Sequence, residues 1–94
     1  EPEGYFSNRW LTCILTDRES SKNDILNLFA KHNIDARPSW KPMHLQALYE
    51  KCPSYLNGVS DDLYQRGICL PSGSNLSEEQ LDKVINVLTG YYNV

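Results

Sequence analysis

The spacing of apolar positions changes several times along the chain, and each change predicts a different element. Residues 10–16 (WLTCILT) are apolar on both faces and rich in aromatic and β-branched side chains, which predicts a well-buried strand. Residues 21–31 follow a helical period and begin on a capping box at Ser21. Residues 34–37 suit a short strand that Pro38 ends, because proline lacks the backbone donor that a strand ladder needs.

The clearest helical signal lies near the C-terminal end. Ser77 and Gln80 have the spacing of a capping box. The apolar positions 81, 84, 85 and 88 then follow the spacing of one helix face. Gly90 is typical of the residue that closes such a helix.

Three weaker segments lie between these signals. Residues 43–51 and 60–66 have helical spacing, and residues 68–70 form a brief apolar strand. The resulting order predicts an α+β two-layer sandwich, a small three-stranded sheet, mostly antiparallel or mixed, with helices packed on one face. No internal repeat or linker divides it, so we expect residues 1–94 to form a single domain. We expect the other sheet face, or one edge of the sheet, to need a partner.

Composition and charge exclude several classes of function. The 94 residues carry a net charge of −3 with acids and bases interspersed, which argues against nucleic-acid binding. The apolar runs are short, which predicts no membrane span. The three cysteines have no metal-binding or redox spacing, and we expect Cys13 and Cys69 to be buried thiols. This usage favours a reducing, cytoplasmic setting.

Isolated polar residues elsewhere have structural explanations. His32 lies in the predicted last turn of one helix, and residues 61–62 (DD) lie at the start of another, where each charge complements the helix dipole. The stretch 71–75 (PSGSN) lacks the lysine and the spacing of a P-loop. No GxSxG elbow surrounds a serine or cysteine. We therefore predict no catalytic residue and no metal site in this chain.

One stretch, residues 37–46 (RPSWKPMHLQ), combines charged side chains, an aromatic ring and two prolines. Its two prolines stiffen the backbone, which suits a recognition surface. Arg37 and Lys41 offer cations to a phosphate, Trp40 offers a stacking surface, and His44 offers a hydrogen-bond donor. Residue chemistry equally allows a plain connector, with Trp40 filling the core and the cations solvated.

Three stretches together resemble the C-terminal part of one enzyme family. Residues 37–46, with residues 7–11 (SNRWL) and 69–76 (CLPSGSNL), are similar in order and separation to motifs of the DegT/DnrJ/EryC1/StrS sugar aminotransferases. Ala47 departs from the pattern, where many relatives continue with proline. The central motif is most similar to the branch that acts on UDP-linked 4-keto-6-deoxy sugars.

The resemblance implies a role within a larger enzyme. These aminotransferases use pyridoxal phosphate, and the family's cofactor residues lie in a large N-terminal domain that this chain lacks. No lysine here sits in the family's lysine motif, so we expect the fragment to bind no cofactor and not to transaminate alone. The implied partners are the large domain of the same polypeptide, a nucleotide-sugar substrate, an amino-acid donor and, in the full-length protein, a second copy in a homodimer.

The resemblance also assigns candidate substrate contacts. Arg37, Trp40, Lys41 and His44 are expected to line the cleft mouth, with a weaker case for Asn8 and Arg9. Two alternatives remain open at this point: a free-standing α/β module that binds an anionic nucleotide-type ligand, and a dimerisation domain that uses its open sheet face.

Overall fold

Three short strands form the sheet of the computed structural model, which describes residues 1–93. They are β1 (Cys13–Leu15), β2 (Arg37–Pro38) and β3 (Gly67–Cys69). The spatial order is β1-β3-β2, and the central strand β3 is antiparallel to both of its neighbours. The predicted three-stranded α+β architecture is confirmed, with an antiparallel sheet.

Three helices accompany the sheet. They are α1 (Glu19–Lys31), α2 (Val59–Arg66) and α3 (Glu78–Tyr92). The sequence predicts four helices, and three of them form as regular helices, the exception being the one over residues 43–51. No helix in the described part of the chain is long and apolar enough to cross a membrane.

The core lies between α1, α3 and one face of the sheet. Successive strand residues point to opposite faces, so Ile14 and Ile68 face the helices while Cys13 and Leu15 face away. The buried apolar side chains are Ile25, Phe29, Ile34, Ile68 and Val84.

The prediction of a strand buried on both faces was wrong. Leu15 is 51% exposed, and Cys13 is exposed while Cys69 is only half-buried. The physical reason is that the helices cover one face of the sheet, so side chains on the opposite face of β1 and β3 have no layer above them. The chain therefore has an open sheet face, and the two predicted buried thiols lie on it.

Pro38 lies inside β2 rather than beyond it. Because β2 is an edge strand, one side of its backbone needs no partner, and a proline is tolerated there. The pairing continues past it, since Ser39 N donates to the carbonyl of Gly67 at 3.0 Å.

The predicted helix over residues 43–51 is replaced by two turns of 3-10 helix, Met43–Leu45 and Ala47–Tyr49. Gln46 interrupts them with extended dihedrals (φ −88°, ψ 134°). A helix this short needs a packed apolar face to persist. Leu48 is 80% exposed, so the apolar spacing here does not correspond to a buried face.

The two predicted capping boxes differ in outcome. At α3, the Ser77 side chain accepts from Gln80 N and the Gln80 side chain accepts from Ser77 N, so this box is confirmed. Helix α1 instead begins after Arg18, and Ser21 lies buried within the first turn. The end of α3 was also misplaced, because the helix passes Gly90 and stops at Asn93, which is left-handed (φ 54°).

Buried polar contacts fix α2 against the rest of the fold. The Lys22 ammonium on α1 donates to the Tyr64 carbonyl at 3.0 Å and lies 4.9 Å from the Tyr64 ring centroid. Arg66 donates to the Thr16 carbonyl at 2.9 Å, and the Thr16 hydroxyl donates back to the Arg66 carbonyl at 3.1 Å. These bonds hold the end of α2 at the point where it enters β3.

Candidate functional site

Trp40 lies on the open sheet face beside Trp10. The two ring centroids are 5.7 Å apart, with a tilt of 46° between the planes. Trp40 is 61% exposed and Trp10 67% exposed. Pairs at this separation attract through their quadrupoles as well as by burial. Trp40 therefore does not fill the core of the described chain, as the connector alternative expected, although Arg37 and Lys41 are exposed as that alternative also expected.

The turn before Trp10 is shaped by its own side chains. Ser7 Oγ accepts from Arg9 N, and Asn8 Oδ1 accepts from Trp10 N, each at 3.2 Å. Arg9 has a positive φ of 54°, which is uncommon for a residue with a Cβ. Such positions persist where local bonds hold them, and they often occur at binding sites.

The loop after β3 is joined to the same region. Ser72 Oγ accepts from Thr12 N at 2.8 Å and donates to the Leu70 carbonyl at 2.8 Å. A hydroxyl that makes both bonds fixes the loop against the start of β1. The three stretches singled out in the sequence thus meet at one place in the fold.

Two grooves flank the exposed ring of Trp40. The first has a volume of about 380 Å³ and the second about 360 Å³. The first is lined mainly by Trp10, Arg37, Trp40, Leu70, Pro71 and Ser72. The second is lined mainly by apolar side chains, among them Leu15, Leu63 and Tyr64. Asn8 and Arg9 border a further groove that also includes both tryptophans.

The cations near Trp40 are only loosely engaged. Arg37 lies 3.4 Å from Asp35, and Arg9 lies 3.9 Å from Glu1. Exposed pairs of this kind contribute little, so either guanidinium can exchange its carboxylate for an anionic ligand. Lys41 is exposed and lines neither of the two grooves beside Trp40.

His44 is placed differently from the other candidates. Its Nε2 lies 2.8 Å from Asp61 Oδ1, with both side chains mostly buried, and it borders a separate pocket with Met43 and Tyr49. The structure therefore brings together Trp40, Arg37 and the 8–9 turn, while His44 is committed to a contact with α2.

The described residues do not fit pyridoxal phosphate. A cofactor lysine needs a free amine in a sheltered cavity. The ammonium of Lys22 is buried but is taken by the Tyr64 carbonyl, and the other four lysines are exposed. Residues 1–93 also contain no group of three His, Cys, Asp or Glu side chains placed to hold a metal ion.

Three features of this site escaped the sequence analysis. Neither the Trp10–Trp40 pair nor the Asp61 partner of His44 has a local signal, because each joins residues distant along the chain. Ser72 was recognised as part of a motif but not as the residue that joins it to β1. In the sequence, the one indication that these residues belong together was the resemblance of the three stretches to one family.

Comparison with known proteins identifies relatives along nearly the whole chain. A sequence model described as the DegT/DnrJ/EryC1/StrS aminotransferase family matches residues 2–89. The protein described as putative pyridoxal phosphate-dependent aminotransferase EpsN, from Bacillus subtilis strain 168, is 48% identical over 86 residues. That match covers 87% of this chain and 22% of the relative.

Solved structures agree. Helicobacter pylori PseC, an aminotransferase involved in the biosynthesis of pseudoaminic acid, superposes with a TM-score of 0.73 at 25% identity, over 89% of this chain and 24% of that one. A DegT DnrJ EryC1 StrS aminotransferase from Brucella abortus gives a TM-score of 0.81 at 28% identity, over 100% of this chain and 25% of that one. The chain thus spans about a quarter of the length of the proteins it matches.

Proposed function

The chain belongs to the DegT/DnrJ/EryC1/StrS aminotransferase family, and we propose that it forms the C-terminal small domain of a pyridoxal-phosphate-dependent nucleotide-sugar aminotransferase. Its role is to help close the substrate cleft. The observation that supports this role is the meeting of residues 7–11, 37–46 and 69–76 around the exposed Trp40 ring.

The cofactor belongs to another part of the polypeptide in this proposal. Pyridoxal phosphate, when bound there, supplies the electron sink that amino-group transfer requires. The residues described here bind and orient the substrate and exclude water from it. This division agrees with the engaged amine of Lys22 and with a chain that spans about a quarter of its relatives.

The open sheet face is the proposed contact with the large N-terminal domain of the same polypeptide. The exposed apolar side chains on and beside this face include Leu15, Trp10 and Trp40, with Leu63 of α2 next to Leu15 and Trp40. Contiguous apolar surface of this kind marks an interaction site. In this proposal its occupant is the large N-terminal domain, which would correspond to the part of the relatives' length that this chain does not span.

The first groove supplies the proposed substrate contacts. Trp40 stacks on a ring of the nucleotide-sugar, and Arg37 pairs in bidentate fashion with its diphosphate. Asn8 and Arg9 line the neighbouring rim, and Lys41 adds a point charge nearby in sequence. The proposed substrate is a UDP-linked 4-keto-6-deoxy sugar, aminated from an amino-acid donor, on the strength of the motif in residues 37–46.

His44 has an indirect role in this proposal. Its contact with Asp61 ties the segment after Trp40 to α2. That contact limits where the Trp40 backbone can move, so His44 acts as a positioning residue rather than as a direct ligand of the substrate.

The test is steady-state kinetics of the whole polypeptide with UDP- and GDP-linked keto sugars. Trp40→Ala is expected to lower kcat/KM about ten- to a hundredfold, because stacking on a ring contributes roughly 1–3 kcal/mol. Tyr55→Ala is the matched control, since Tyr55 is a 99% exposed aromatic outside the grooves. It should leave turnover unchanged.

Other outcomes separate the alternatives. Micromolar binding of a UDP-sugar by the 94-residue chain alone would favour a free-standing module, because the aminotransferase proposal expects a half-built and weak site. Unchanged turnover in Trp40→Ala, with loss of the homodimer, would instead favour a dimerisation domain. If the purified whole polypeptide showed no absorbance from bound pyridoxal phosphate, the aminotransferase proposal would be wrong.

A further inference from the structure

Cys13 and Cys69 face each other across the open side of the sheet. They are register partners on β1 and β3, and their sulfur atoms are 3.5 Å apart. Backbone bonds join Leu70 N to the Thr12 carbonyl and Thr16 N to the Arg66 carbonyl. The cysteine pair therefore occupies the non-hydrogen-bonded position between them, where the two strands come closest, at about 4.5 Å between Cα atoms.

This position meets the requirements of a disulfide. Bridged cysteines have Cα atoms roughly 4.4–6.8 Å apart, a range that includes the spacing of non-hydrogen-bonded strand pairs. The two sulfurs already touch, so side-chain rotation can bring them into bonding distance while the ladder stays intact. The third cysteine, Cys52, borders a different pocket with Pro53 and Tyr49.

The pair is also reachable from solvent. Cys13 is exposed and lines the grooves beside Trp10 and Trp40, whereas Cys69 is half-buried. Burial, with a smaller contribution from the neighbouring Cys13, raises the pKa of Cys69 to about 11. Cys13 is thus the thiol that meets an incoming reagent first.

We propose that Cys13 and Cys69 are a redox modification site, at which a small-molecule disulfide such as oxidised glutathione reversibly converts the two thiols into a cross-strand disulfide. The Cys13 thiolate attacks the glutathione disulfide, which forms a mixed disulfide and releases one glutathione thiolate. The Cys69 sulfur, after losing its proton, attacks Cys13 Sγ and displaces the second glutathione. The protein pair is oxidised and one oxidised glutathione is reduced to two thiols.

The inference goes beyond the proposed function, and its geometry uses only the strand register and the two sulfur positions. Because Cys13 lies on the face proposed to meet the large domain, the reaction requires that glutathione reaches Cys13 through the grooves beside Trp40. Its consequence is local to the open face. The bond would lock edge strand β1 to central strand β3 beneath the grooves beside Trp40. In a reducing compartment such a bond is transient and is expected in redox sensing rather than in fold maintenance.

Peptide mass spectrometry of the whole polypeptide tests the proposal. The protein is held under native conditions in a glutathione buffer of set redox ratio, and free thiols are then alkylated. The expected result is a linked pair of peptides containing Cys13 and Cys69, with Cys52 alkylated, and full reversal by dithiothreitol. Cys52→Ser should preserve the linkage.

Two cysteine variants and one denaturing condition serve as controls for the Cys13–Cys69 linkage. Cys13→Ser and Cys69→Ser should each abolish the linkage, and circular dichroism verifies that each variant is folded. In urea, all three pairings should appear together. Free alkylation of Cys13 and Cys69 in the oxidised buffer, stable glutathione adducts alone, or native linkage through Cys52 would each overturn the proposal.

Discussion

The imidazole Nε2 of His44 lies 2.8 Å from the carboxylate Oδ1 of Asp61. Asp61 lies in the first turn of α2, and His44 lies in the 3-10 turn that follows Trp40. The contact joins two segments that share no strand pairing. It also explains the acidic residue at the start of α2 more specifically than the helix dipole does.

His44→Ala is expected to destabilise the chain by about 1–2 kcal/mol, because it leaves a partly buried carboxylate without its partner. The measurement is the urea midpoint at constant slope. His32→Ala is the matched control, since His32 is exposed at the end of α1, and it should change stability by less than about 0.5 kcal/mol. Equal losses in both variants would contradict the assigned role of the His44–Asp61 contact.

The elements that the sequence predicted well are those with strong local determinants. The Ser77–Gln80 box and the apolar stripe of α3 act within a few residues of one another, and both were confirmed. Residues 43–51 have a similar stripe but no surface to pack it against. Their two 3-10 turns show that helical spacing without burial does not fix a helix.

The candidate site was predictable only in part, for a related reason. The stiffness of the segment around Trp40 follows from its prolines, but the exposure of Trp40 and its contact with Trp10 depend on how the sheet is assembled. The pairing of Cys13 with Cys69 likewise depends on the register of two strands distant in sequence. Local patterns suggest which residues are unusual, and tertiary packing decides which of them meet.

Ser77→Ala is expected to cost about 1 kcal/mol of stability, because Gln80 N loses its side-chain acceptor at the start of α3. Thermal unfolding measured by circular dichroism tests this. Ser77→Asp should retain most of the stability, since aspartate is also an N-cap residue and its charge is favourable there. Ser74→Ala is the control for a serine in the same loop. An equal loss in Ser74→Ala would contradict the capping role.

Gly67→Ala and Gly90→Ala are expected to shift stability in opposite directions. A Cβ on Gly67 would collide with the Leu63 carbonyl and with the Ser39 side chain, so we expect a loss of about 1–3 kcal/mol. A Cβ on Gly90, inside α3, meets nothing within 4 Å, and we expect a gain of up to about 1 kcal/mol. Chemical denaturation of both variants is the measurement. A tolerated Gly67→Ala would show that Ser39 lies elsewhere.

Arg66 and Asp62 should give the chain a specific acid sensitivity. The guanidinium forms two bonds to the carboxylate, Nε to Oδ1 at 2.8 Å and Nη2 to Oδ2 at 2.6 Å. Hydrogen bonding to Arg66 lowers the pKa of Asp62 below its ordinary value of 3.8. A carboxyl whose pKa is depressed on folding contributes stability above its unfolded pKa, and that contribution is lost as the pH falls through the folded value.

Asp62→Asn should therefore be less stable than the unmodified chain at neutral pH, by a small amount because the pair is exposed to solvent. The difference between the two should shrink as the pH falls below 3.8 and vanish once Asp62 is protonated. Denaturation midpoints measured from neutral pH into acid test this, with Asp82→Asn as the control for removing one exposed negative charge. A difference that persists unchanged in strong acid would mean that Asp62 acts through packing rather than through its ion pair.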